Sequence, residues 1–328
     1  MTPEQVDVAV VGSVNIDLVA SVTRLPLPGE TVPAIAYDQF LGGKGSNQAI
    51  AAARLGRSVA FVGLIGDDRE GASVRKSLRA EHVDVSYLGT EPGVPTGRAI
   101  VLVDAAAENS IVVVSGANSL LSPRHIEASA ELLARASVVV SQLEIRMETV
   151  VAAARAAAGT FVLNPAPAQP LDAELLALVD VLVVNEIEYE VVTGHPLPEE
   201  PRQVAAELTA LGLPGSVVVT IGSRGALVWE GDGVTHLPAP VVPVIDTTGA
   251  GDTFIGALAD ALSRGETLLP AALWAVHAAA VSVGALGATT GMPGPAEVLA
   301  SVRRATDPDA DATRSDRRRA EEADAHHA

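Results

Sequence analysis

The feature that most constrains the fold is a rhythm in the middle of the chain. From about residue 123 the pattern reads helix 123–135, strand 137–143, helix 147–158, strand 160–164, helix 172–178 and strand 181–184. The strand segments are unbroken runs rich in Val and Leu. Strands buried on both faces read this way, whereas strands with one wet face alternate. Alternation of such strands with helices demands crossover connections. The expected fold class is therefore α/β: a doubly wound, mostly parallel sheet flanked by helices. Segments 6–11 and 59–66 read as two further buried strands. Segments 96–103 and 111–114, joined by the polar loop 104–110, read as a hairpin. With the Pro-punctuated excursion at 22–40 they are expected to build a small separate sheet.

Sheets of this kind bind ligands beyond the carboxyl ends of their strands, so polar residues there are the first candidates. Strand 6–11 runs into Gly12-Ser13-Val14-Asn15-Ile16-Asp17, which places Asn15 and Asp17 at such an end. An amide beside a carboxylate suits the neighbouring hydroxyls of a sugar; an Asx turn uses the same residues. Glu144 follows segment 138–143, and Asn164 follows 161–163. Asn185 follows 181–184, with Glu186 and Glu188 close behind. Segment 217–221 ends in Gly222-Ser223-Arg224-Gly225, a turn able to lie against a nucleotide.

Two glycine-rich turns each open a helix. Gly42-Gly43-Lys44-Gly45-Ser46-Asn47 carries a lysine between glycines, without the spacing of a P-loop. Asp246-Thr247-Thr248-Gly249-Ala250-Gly251-Asp252 follows a strand-like run at 241–245. Phe254, Ala257, Leu258, Ala261 and Leu262 then recur at helical spacing. Unpaired amides and the positive end of a helix dipole make such a turn a site for phosphate or a developing anion. A carboxylate repels a resting phosphate, so Asp252 suits a different role, that of taking a proton from a hydroxyl that attacks phosphorus. A structural turn whose Asp caps a helix has the same sequence.

Composition narrows the partners. The chain has 328 residues, a formal charge of −18 and no cysteine. Disulfides and thiolate metal sites are excluded, and the absent basic face argues against nucleic acid. No apolar run reaches membrane-spanning length, and residues 1–5 do not open a signal peptide, so a cytoplasmic protein is expected. Only two lysines are present, Lys44 and Lys76. Beyond residue 305 the pattern dissolves into Asp, Ala, Arg and Glu, so 306–328 is expected to be a disordered charged tail behind one domain at 1–305.

Taken together, these stretches resemble the PfkB-type (ribokinase) family of sugar kinases over about residues 6–303. The likeness rests on Gly-Gly-Lys-Gly-x-Asn at 42–47 and Asp-Thr-Thr-Gly-Ala-Gly-Asp at 246–252. Asn15-Ile16-Asp17, Gln142-Leu143-Glu144, Leu163-Asn164-Pro165-Ala166-Pro167 and Asn185-Glu186-x-Glu188 also fall in the family's order. The resemblance implies ATP-dependent phosphorylation of D-ribose at O5. A kinase for deoxyribose, another small sugar or a nucleoside is the nearest alternative, and a non-catalytic sugar sensor a more distant one. It also implies roles. Asp252 would be the general base, with the amides of Gly249, Ala250, Gly251 and Asp252 as the anion hole. Asn15, Asp17, Gly43, Lys44, Asn47 and Glu144 would hold the sugar. Asn185, Thr220, Gly222, Ser223, Gly225, Gly251 and His277 would meet ATP, and Glu188 would reach Mg²⁺ through water. A monovalent cation, K⁺, would be an activator held by Asp246, Thr248, Ser282, Ala285, Gly287 and Gly291. Relatives often carry serine where this chain has Gly291. The small sheet, from about 13–44 and 94–115, would be a lid pairing with a second copy in a homodimer.

Overall fold

The computed structural model describes residues 6–306 apart from 107, 214 and 232, so the expected tail lies almost wholly outside the described residues. Strand β1 (Val8–Val11) leads straight into β2 (Asn15–Val22) and β3 (Ala34–Gly42), then α1 (Lys44–Arg54), β4 (Val59–Gly66) and α2 (Arg69–Ala80). Short strands β5 (Val83–Asp84) and β6 (Leu88–Glu91) precede β7 (Gly97–Val103) and β8 (Asn109–Val114). The regular half follows: α3 (Pro123–Ala128), α4 (Ala130–Arg135), β9 (Val138–Gln142), α5 (Met147–Ala156), β10 (Thr160–Asn164), α6 (Ala173–Leu176), β11 (Val181–Asn185), α7 (Glu186–Thr193), α8 (Pro201–Ala210) and β12 (Ser216–Thr220). The chain closes with β13 (Ala226–Trp229), β14 (Val234–Leu237), α9 (Ala250–Ser263), α10 (Leu268–Ser282) and α11 (Pro295–Thr306).

The main sheet runs β14-β13-β12-β11-β10-β9-β1-β4-β5, with β6 also on β4. It is parallel except at β13 and β14, which return as a hairpin on one edge. Alternate residues of its strands feed two separate cores. Val8, Val10, Phe61 and Val140 pack beneath α1, α9 and α10; Ala9, Val11, Val62 and Val139 pack against the α3–α8 side. That two-sided burial is why the strands are apolar throughout. The expected helix 123–135 is broken into α3 and α4 at Ser129, whose hydroxyl bonds the carbonyl of His125.

From β1 the chain moves to β4 on one side and later returns to β9 on the other. Loops leaving β1 and β9 therefore diverge, which opens a crevice at the carboxyl edge, the place where such sheets bind ligands. A second sheet, β3-β2-β7-β8, stands over this edge. Asn15 and Asp17 lie in its strand β2, not in an Asx turn, because β2 begins almost as soon as β1 ends.

Helix α9 is buried on nearly all sides. It lies against α1, where Gly256 leaves no room for a side chain over Ala51 and the backbone of Gln48 and Ala52. Its far end is fixed by Asp260, fully buried between Arg57 (3.0 Å), Arg264 (2.5 Å) and the indole N–H of Trp274 (2.8 Å).

Candidate active site

The close approach of α1 to α9 sets the centre of the site. The side-chain amide of Asn47 donates to Asp252 Oδ2 at 2.9 Å, and that of Gln48 donates to Oδ1 at 3.0 Å. Both carboxylate oxygens thus have one donor and a lone pair to spare for a third group. Burial pushes the Asp252 pKa up; Lys44 above all, then Asn47 and Gln48, oppose the shift. A carboxylate raised in this way and facing a cavity has the character of a proton acceptor.

Around it lie the groups expected to meet a sugar. Asn15 is buried, and its Oδ1 accepts from Asn118 Nδ2 at 2.8 Å, so its own amide donors are turned elsewhere. The Asp17 side chain makes no hydrogen bond among the described residues, although its backbone is paired in the small sheet. Burial, reinforced by Glu144 and then Asp252, raises its pKa to about 6. Glu144, just past the end of β9, accepts from Ser13 Oγ (2.5 Å) and from the Lys44 backbone amide (3.1 Å), which staples the β1 loop to the start of α1 beyond Gly43. Asn15, Asp17, Asn47, Glu144 and Asp252 therefore come together from β2, α1, the end of β9 and α9.

Two cavities adjoin Asp252 and share Thr220, Gly222 and Gly251. One, of about 320 Å³, is polar and includes Lys44, Asn185, Glu188, Gly249 and Asp252. The other, of about 350 Å³, is apolar and includes Ser223, Gly225, Val241, Val244, Phe254, Val276 and Ala280. An apolar slot joined to a polar chamber at a helix N-terminus matches a base at one end and phosphates at the other.

The turn at this junction departs from expectation in detail. Gly249 takes φ 77, the left-handed region open to glycine, and a Cβ there would overlap the carbonyl of Ala288. The amides of Gly249, Gly251 and Asp252 have no partner among the described residues. That of Ala250 is already given to the carbonyl of Thr247 at 3.2 Å, so Ala250 does not supply a free anion-hole donor. Segment 241–245 is not a strand. Val241, Val244 and Ile245 are exposed, and Val241 and Val244 form a wall of the apolar slot, which is why an apolar run survives without sheet partners. His277 is also corrected: it is buried against α11, its Nδ1 2.9 Å from Ser301 Oγ, and it lines neither cavity.

The residues expected to hold a monovalent cation converge on one place. Asp246 Oδ1 accepts from Thr248 N (2.9 Å) and Oγ1 (2.6 Å), and its Oδ2 accepts from Gly287 N (2.8 Å). Gly291 packs so tightly on the carbonyl of Ser282, where α10 ends, that a Cβ would overlap it. A serine side chain has no room there, which accounts for the glycine. Ala285 lies in the same loop. Arg54 donates to the carbonyl of Thr289, tying this loop to α1. Among the described residues no cluster of three or more His, Cys, Asp or Glu is arranged to hold a metal ion. Glu188 is engaged in a reciprocal capping box with Asn185: its Oε2 accepts from Asn185 N at 2.9 Å, and Asn185 Oδ1 accepts from Glu188 N at 2.8 Å.

Sequence reasoning missed Gln48, Gln142, Asn118 and Ser13 as site-building residues. The signal for Gln48 was an amide on an otherwise Ala-rich helix.

A buried carboxylate near polar groups suited to hydroxyls, beside a free-amide helix terminus, fits a phosphotransferase with an alcohol group as acceptor. Comparison with known proteins agrees. Residues 5–295 match the pfkB family of carbohydrate kinases. A ribokinase of Haemophilus influenzae is 39% identical over 295 residues, covering 88% of this chain and 96% of that protein. A deoxyribokinase of Salmonella typhi is 37% identical over 293 residues, covering 88% and 95%. The structure of Arabidopsis thaliana ribokinase complexed with ribose and ATP superposes with a TM-score of 0.85 at 32% identity, covering 91% of this chain and 99% of that one. The chain belongs to the pfkB family of carbohydrate kinases.

Proposed function

We propose that the protein transfers the γ-phosphoryl group of ATP to O5 of D-ribose. The observation that carries this reading is the carboxylate of Asp17, which has no side-chain hydrogen-bond partner among the described residues and lies near enough to Glu144 and Asp252 for their charges to raise its pKa, a group free to take a vicinal diol. In this reading Asn15, Asp17, Asn47 and Glu144 hold the sugar so that its primary hydroxyl reaches a free lone pair of Asp252. Asp252 takes the hydroxyl proton as the oxygen attacks phosphorus, and the amides of Gly249, Gly251 and Asp252 meet the charge on the transferring group. Lys44, between sugar and nucleotide chambers, neutralises charge on both sides. ATP occupies the apolar slot with its base and the polar chamber with its phosphates.

The fit to two ions follows from the donors present. Glu188 lines the polar chamber with both oxygens already accepting from Asn185, which suits a Mg²⁺ held mainly by phosphates and reached from Glu188 through water. Mg²⁺ would supply charge neutralisation at the β- and γ-phosphates. The loop around Asp246, Ser282 and Gly287 offers backbone oxygens, the donor set of a monovalent cation such as K⁺. The second sheet acts as a lid that excludes water. Its exposed apolar residues Ile35, Tyr37, Ile111, Val112 and Val113 suit pairing with a second copy in a homodimer. A cytoplasmic setting belongs to this reading, since ATP is the donor.

Turnover of ATP with Mg²⁺ and K⁺ across ribose, 2-deoxyribose, fructose, adenosine and inosine tests the reading. Preference for ribose with measurable loss for 2-deoxyribose is expected. Preference for 2-deoxyribose would move the substrate toward that of the deoxyribokinase relative, and a preferred nucleoside would reject the pentose assignment. Silence on all five would reject the kinase function.

A further inference from the structure

Asp252 is the end of a longer chain of amides. Gln142 Nε2 donates to Gln48 Oε1 at 2.6 Å, and Gln48 Nε2 donates in turn to Asp252 Oδ1 at 3.0 Å. Gln48 and Gln142 are both almost fully buried. Their positions are set by separate elements: Gln142 ends β9 and lies over Gly12, whereas Gln48 stands on the first turns of α1. Neither belongs to the groups expected to touch sugar or nucleotide.

The direction of this chain is dictated by its end. An ionised carboxylate only accepts hydrogen bonds, so Gln48 must aim its NH₂ at Asp252. Its carbonyl is then left facing Gln142, which must present an NH₂ in turn. The reverse order would set carbonyl against carboxylate in a dry interior, a costly arrangement. The side-chain carbonyl of Gln142 has no partner among the described residues, one sign that the chain is held in this sense at some expense.

We propose that Gln48 and Gln142 are positioning residues that fix the plane and the proton affinity of the catalytic carboxylate through a one-way amide relay. The proposal rests on the reading of Asp252 as general base. Gln48 keeps one oxygen of Asp252 occupied, which leaves the approach of a substrate hydroxyl to the remaining lone pairs. It also stabilises the ionised form against the burial that disfavours it. Gln142 acts one step further back, by denying Gln48 the flipped orientation.

Two substitutions separate this role from simple packing. Gln48→Leu keeps the bulk and removes the donor. Its kcat is expected to fall about tenfold or more with the ribose KM within about threefold, and the acid limb of the kcat profile to move up by about one pH unit. Raising the pH then recovers activity, which a packing defect would not allow. Gln142→Glu keeps the shape and makes polarity depend on protonation. The neutral acid donates to Gln48 and preserves the relay. Once ionised, the introduced carboxylate accepts from Gln48 Nε2 and draws it away from Asp252, so an alkaline limb absent from the wild type is expected. A third readout needs no substrate: ¹³C-carboxyl NMR, with the Asp252 signal assigned by its loss in Asp252→Asn, should show an upward titration shift in Gln48→Leu.

Unshifted pH profiles and an unshifted Asp252 titration in both variants would overturn the proposal. So would losses independent of pH that track a fall in melting temperature. A wild type inactive on every sugar would reject the proposed function instead, and the NMR titration would still decide whether the relay sets the Asp252 proton affinity.

Discussion

Replacement of Asp17 by Asn should make the protein more stable and a poorer enzyme at the same time. The Asp17 carboxylate has no hydrogen-bonding partner among the described residues and is held at a pKa of about 6 by burial, with Glu144 and Asp252 adding to the shift, against a usual 3.8. The shift of about 2.2 units, at 1.36 kcal/mol each, makes the ionised group cost about 3 kcal/mol of stability above pH 6. The sign follows from proton counts. Between the two pKa values the folded state holds the proton and the unfolded chain has released it, so this contribution to stability falls as pH rises from 3.8 to 6. Asn fills the same space without the charge. Urea unfolding should therefore show Asp17→Asn more stable by about 3 kcal/mol at pH 8, shrinking to about 1.6 kcal/mol at pH 5. In the proposed role the same change removes a charged acceptor from the sugar diol. The ribose KM should rise by roughly 10- to 100-fold, from the 1.5–3 kcal/mol of a hydrogen bond to a charged group. A variant no more stable than wild type at pH 8, or an advantage that does not vary with pH, would refute the electrostatic argument.

Asp252→Asn should lower kcat by about 10²- to 10⁴-fold in a coupled ATP assay while changing the sugar KM by no more than about threefold. Gly249→Ala should cost about 1–2 kcal/mol from its φ of 77 alone. The clash with Ala288 adds to this, and the expected reading is a fall in kcat with a raised ATP KM. Asp260→Ala leaves Arg57 and Arg264 without their buried partner; denaturation should show a loss of about 3–5 kcal/mol with kcat unchanged. Below pH 6 the wild-type ribose KM should climb as Asp17 takes up its proton, and the climb should be absent from Asp17→Asn.

The parallel sheet was legible because burial on both faces leaves an uninterrupted apolar signature, and β10 falls on the expected residues 160–164. The same signature misled at 241–245. An apolar run marks burial or a cavity wall without telling them apart, and here it forms the slot. Asn15 and Asp17 read as the end of strand 6–11, with an Asx turn as the alternative, because β2 follows β1 almost without a loop and no proline marks the change of sheet. His277 failed by geometry on α10. Val276, Ala279 and Ala280 face the slot, and His277 is rotated out of that group toward Ser301. The relay through Gln142 was beyond any periodicity argument, since its links join residues 94 and 204 positions apart. What local sequence did convey was the two glycine turns, because their demands are satisfied within a few residues of the backbone.

In the proposed reading the sugar site is divided between two bodies. Asn15 and Asp17 belong to a strand of the small sheet, whereas Glu144 and Asp252 belong to the main one and its helices. A pentose bound among them is therefore a rivet through a seam, and its hydroxyls take over joints that the polypeptide leaves open. The protection conferred by ribose should accordingly be uneven. Amides of β2 and β7 should slow their exchange far more than those of β11 or β12, where the sheet is already closed by its own hydrogen bonds.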